Sequence, residues 1–94
     1  MRIPNVNPLP FRPATPLEQR LCDLVESASG EVVLHVWTQE TYPFFDEDDE
    51  PMKLAADFAV RTGQLHNGLF VGGSMYLAHV SGDDVRVEFT GAYR

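Results

Sequence analysis

Pro51-Met52-Lys53-Leu54-Ala55-Ala56-Asp57-Phe58-Ala59-Val60-Arg61-Thr62-Gly63 is the stretch on which the fold turns. At helical spacing, Leu54, Ala55, Phe58 and Ala59 make an apolar stripe with Met52 near it. Asp57 and Arg61 stand four apart, where a helix pairs opposite charges. Pro51 suits a first helical turn, Asp48 or Asp49 the N-cap, and Gly63 the stop. The stretch therefore predicts a second helix, with alanines that permit a close approach to a sheet.

The flanking segments supply the rest of the fold. Upstream, Thr15-Pro16-Leu17-Glu18 has the form of a capping box with proline at the first helical position. Leu17, Leu21, Leu24, Val25 and Ala28 then recur on one helical face, and Gly30 supplies a left-handed stop, so a first helix is expected over 16–28. Cys22 falls at the edge of that stripe and reads as a half-buried core thiol, since nothing around it lowers its pKa. Glu31 to Thr38 reads as a strand, with Val32, Leu34 and Val36 on one face and Val33, His35 and Trp37 on the other. Two apolar faces predict a central strand.

Downstream the pattern is β-rich. Leu69 to Val71 follows the turn signal Asn67-Gly68, and Gly72-Gly73 suits a two-residue hairpin loop. Ser74 to Val80 is the next strand and Ser81-Gly82-Asp83-Asp84 the next turn. Val85, Val87 and Phe89 then alternate with Arg86, Glu88 and Thr90, a half-exposed strand. The expected order is α-β-α-β-β-β. This is an α+β fold, two helices packed on a small, mostly antiparallel sheet of three to four strands. Residues 1–14 carry Pro4, Pro8, Pro10 and Pro13 and read as an extended arm, leaving 15–94 as a single domain. Ile3, Val6, Leu9 and Phe11 suit an arm that lies along its own domain or across a second copy in a homodimer.

Composition narrows the function classes. The 94 residues carry 14 acids against 7 bases, a formal net charge of −7, with 44% hydrophobic and 11% aromatic residues. That is enough apolar material for a core, and too little positive charge for direct binding to nucleic acid or an anionic membrane. A single cysteine allows no intramolecular disulfide and no Cys-based zinc site, which fits a reducing compartment. With no apolar run long enough for a signal peptide or a membrane span, a cytoplasmic protein is expected.

The candidate site is the run Asp46-Glu47-Asp48-Asp49-Glu50, with Glu40 upstream and Tyr42, Phe44 and Phe45 around Pro43 beside it. Acids before a helix complement its dipole, but two or three suffice for that. An extended chain advances about 3.3–3.6 Å per residue, near the roughly 3.4 Å per phosphate of a nucleic-acid strand, so such a run fits a basic groove built for phosphates. Of the three aromatics, at least one should anchor the loop to the core, and one left exposed would be an interface hot spot. The run lacks the alternating ligands and glycine of a calcium loop. His35, His66 and His79 have no metal-motif spacing, although His35 and His79 would meet if their strands were neighbours. Gly72-Gly73-Ser74 is neither a nucleophile elbow nor a phosphate loop.

These residues predict a small, acidic, non-catalytic module without cofactor or metal. Its partner would be a basic protein surface, that of a nucleic-acid-binding protein, and its action that of an inhibitor mimicking nucleic acid. In size, acidity, α+β pattern and single cysteine the chain resembles phage-type anti-restriction and anti-CRISPR inhibitors. The resemblance is one of bulk composition and assigns no residue a role. Two alternatives stand beside this reading: a homo-oligomeric assembly subunit, and an enzyme binding a small ligand between subunits.

Overall fold

The computed structural model describes residues 9–93, with one helix and five strands: α1 Pro16–Ser29, β1 Val32–Trp37, β2 Phe58–His66, β3 Leu69–Val71, β4 Ser74–Ser81 and β5 Asp84–Ala92. All strand pairs are antiparallel and the sheet runs β1-β2-β4-β5, with β3 also on β2. The expectation of two helices on a sheet of three to four strands is corrected to one helix on five strands.

The helix forms where its caps predict. Thr15 Oγ1 accepts from the Glu18 N–H at 3.1 Å, and Glu18 Oε1 accepts from the Ala14 N–H at 2.7 Å. Gly30 closes the helix at φ 69°, its N–H donating to Glu26 O. Leu21, Cys22 and Val25 point into the core, so Cys22 is buried rather than at the edge, while Leu17 and Ala28 are exposed. They meet Val33, Val60, Tyr76 and Ala78 from the sheet. Apolar burial of this kind contributes about 25 cal/mol per Å².

The stretch 51–63 does not form a helix. Its second half is β2, in which Phe58, Val60 and Thr62 alternate with Ala59, Arg61 and Gly63 across the two faces. β-branched Val60 and Thr62 suit a strand, and Gly63 leaves the space that the Leu34 side chain fills. Asp57 does not pair with Arg61. It docks on β4, donating from N–H to Ala78 O at 3.0 Å and accepting from the Val80 N–H at 2.7 Å.

β2 therefore takes the central place expected of β1, and β1 lies at an edge. A bulge at Leu34 interrupts β1, and its outer side is covered at Val33. There the N–H donates to Glu26 Oε2 at 3.1 Å, and the carbonyl accepts from the Phe11 N–H at 2.9 Å. Phe11 also packs on the core, so this part of the arm lies along its own domain. Ile3 and Val6 lie outside the described residues.

Gly72-Gly73 is not a hairpin loop. Gln64 faces Val71 and Arg61 faces Met75, so β3 and β4 are two stretches of one line beside β2. Between those pairs residues 62 and 63 oppose residues 72, 73 and 74, which is a β-bulge. The hairpin is closed instead by Asn67-Gly68, whose φ angles of 50° and 80° are those of a type I′ turn. Among the described residues no helix is long and apolar enough to cross a membrane.

Candidate functional site

α1 covers one face of the sheet. The other carries Trp37, Ala59, Arg61 and Met75 and is overlaid by the long connection from β1 to β2. That connection folds back on itself. Phe45 and Pro51 form an isolated antiparallel bridge, and the Met52 N–H donates to Phe44 O at 3.0 Å. At the tip, the Asp46 N–H donates to Glu50 O at 2.9 Å, and Asp46 Oδ1 accepts from the N–H groups of Asp48 and Glu50 at 2.9 and 3.0 Å. Asp49 takes a left-handed φ of 62°, tolerated by Asp and Asn. Asp46 thus caps a turn, where Asp48 or Asp49 was expected to cap a helix. Local side-chain bonds to the backbone compete with helix in this way. The run does not lie extended, and its carboxylates crowd around one turn rather than following the spacing of phosphates.

All five residues of the turn are exposed. Among the described residues the ion pair is His79–Glu88 at 2.9 Å, so no tip carboxylate is neutralised by a described arginine or lysine. The aromatics divide as their positions require. Tyr42 and Phe44 pack edge-on to each other at 5.0 Å and to Trp37 at 6.5 and 5.6 Å, and Trp37 stacks on His35 at 5.2 Å. Phe45 is 60% exposed beside the acidic turn. Glu40 lies in the turn after β1, where its backbone N–H and the Thr38 hydroxyl hold its carboxyl below the usual range. The described contacts do not join Glu40 to the tip.

Below the turn lies an open groove of about 440 Å³, lined by Tyr42, Phe44, Phe45, Met52, Met75, Thr90, Ala92 and Tyr93. Met75, Thr90, Ala92 and Tyr93 were not singled out as site residues in the sequence. Strand pairing brings them here, and only Met52, next to the acidic run, could have been found by proximity. Arg61 lies over the Tyr93 ring, 3.8 Å from its centroid, and its Nε is buried without a hydrogen-bond partner. Burial, and then the Arg61 charge, push the His35 pKa below its ordinary value.

The remaining chemistry-bearing residues do not converge. β2 separates His35 on β1 from His79 on β4, so the two do not meet; His66 is exposed at the far end of β2. Burial, with Glu26, Asp23 and Glu18 nearby, raises the Cys22 pKa to about 11, which makes it a poor nucleophile. Among the described residues no cluster of three metal-ligating side chains occurs. No protein-family model matches the chain, and no curated protein or solved structure matches it either.

Proposed function

We propose that this chain is a non-catalytic protein-binding module that offers the 46–50 turn to the basic surface of a nucleic-acid-handling protein. The observation that carries the reading is a turn of five exposed acidic residues with no counter-charge among the described residues, set beside an exposed Phe45 and an apolar groove. Charge of this kind raises encounter rate and selects partners of opposite sign, while a desolvated aromatic supplies the energy that slows dissociation. The carboxylates act as a compact cluster facing a patch of Lys and Arg, so a basic site that holds phosphates is a fitting counterpart.

The test uses a variant that keeps the turn. Asp46 stays, because its carboxylate holds two backbone N–H groups. Glu47→Gln, Asp48→Asn, Asp49→Asn and Glu50→Gln remove the other charges. Immobilised wild type is expected to retain a basic nucleic-acid-binding protein from a lysate of the native host. With that protein purified, binding should weaken as salt rises, compete with a short duplex, and fall by at least about tenfold for the neutralised variant. Equal binding by both forms, or binding indifferent to salt, excludes the turn as the contact.

A further inference from the structure

We propose that two copies of this chain pair along β5, antiparallel and centred on Val87, to make one continuous sheet. β5 is an end strand, and among the described residues no strand lies on its outer side. The two edges of the sheet are unlike. β1 is bulged in its middle and has both backbone groups of Val33 occupied, whereas β5 bulges only at Thr90 and runs in unbroken register from Asp84 to Phe89, with no proline or lysine. Soluble proteins blunt such an edge or use it.

Backbone phase fixes which groups are free. Ala78 O and the Val80 N–H are directed to Asp57, away from β5. Their partners in register, Val87 and Val85, therefore turn their own N–H and C=O to the open side, and Phe89 follows by alternation. An antiparallel pair centred on Val87 sets Val87 opposite Val87 of the second copy, and Val85 opposite Phe89, all as hydrogen-bonded pairs. The pairs between them place Arg86 opposite Glu88 twice, in the positions where side chains approach more closely. Shifting by two residues sets Arg86 against Arg86, or Glu88 against Glu88. Shifting by one takes the backbone groups out of phase. The sequence Val85-Arg86-Val87-Glu88-Phe89 is thus complementary to itself in one register. It also gives a partner to Phe89, which is 60% exposed and otherwise held by an edge contact with Tyr76 at 5.5 Å. The two-fold axis stands normal to the sheet, so both helices fall on one side and both acidic turns on the other.

Sedimentation velocity of the full chain over a concentration series tests the pairing. Wild type is expected to dimerise reversibly. Arg86→Glu or Glu88→Arg, each turning two attractive pairs into two repulsive ones, should weaken the dimer by about tenfold. Glu88→Arg also removes the contact with His79, so the double variant R86E/E88R, which restores opposite charges across the axis, is the decisive one and should recover the dimer. Val87→Pro removes the outward N–H together with a side chain that packs partly on the core, and should give a monomer whose far-UV circular dichroism keeps the signal of the sheet. A wild type that stays monomeric, a dimer unmoved by Arg86→Glu, or a double variant that fails to recover overturns the proposal. So does a dimer lost only when residues 1–13 are removed, which would belong to the arm.

Discussion

Thr62 and Gly73 show how one residue settles a backbone path. Thr62 is fully buried; its hydroxyl donates to Glu31 Oε1 at 2.6 Å and accepts from the Ser74 N–H at 2.9 Å. A hydrogen bond to a charged group in a buried site contributes more than an exposed neutral one. Gly73, at φ 107°, lies so close to Thr62 that a Cβ would collide with the Thr62 carbonyl, whereas nothing stands near Gly72 at φ 54°. Gly73→Ala is therefore expected to destabilise the chain by at least about 1–3 kcal/mol, and Gly72→Ala by about 1–2 kcal/mol from backbone strain alone. Urea unfolding of both variants checks this, and equal losses would mean that the close approach is not what Gly73 serves. The glycine pair was legible as a place of unusual backbone. Whether it made a turn or a bulge was not, because that depends on β2 lying opposite, and β2 had been read as helix.

At the scale of elements, α1 was legible almost to the residue, because caps act through neighbours in sequence. The segment 51–63 misled because both periods fit it. Phe58 and Ala59 continue a helical stripe, yet Phe58, Val60 and Thr62 also line one face of a strand. Pairing decides between them. A helix there would leave β1 and β4 without the strand that joins them, and local propensity cannot outweigh two ladders. The acidic turn is a separate local unit, held largely by Asp46. Asp46→Ala should speed amide exchange at Asp48 and Glu50 by about tenfold, the loss of roughly one hydrogen bond's free energy. The β2–β4 amides should keep their protection. Faster exchange across the whole sheet, on the same scale, would show that the turn is coupled to the core.

For the whole molecule, the charge imbalance was legible and the groove was not. A formal charge of −7 follows from counting, whereas the approach of Met52 to Tyr93 needs the sheet order and the return of the β1–β2 connection. With one ion pair among the described residues to relieve it, like-charge repulsion opposes the compact state and weakens as the screening length falls from about 30 Å at 0.01 M salt to about 10 Å at 0.1 M. The Tm is expected to rise by a few degrees over that range, opposite in sign to the effect on partner binding, and a scanning calorimetry series checks it. A Tm that falls with salt would mean that attractive pairs dominate. The connection from Thr38 to Asp57 has a further consequence. Its ends are fixed by Gln39, whose side chain reaches the Leu54 N–H at 2.6 Å, and by Asp57 on β4. What lies between adds no rung to the main sheet. The entropy of closing a chain segment grows only logarithmically, by roughly 0.6 kcal/mol for each doubling. At the exposed tip between Phe45 and Pro51, beyond Tyr42 and Phe44 that pack on Trp37, residues can be inserted, deleted or exchanged at small thermodynamic cost to the sheet, which makes it the part of the chain where recognition can diversify while the architecture stays the same.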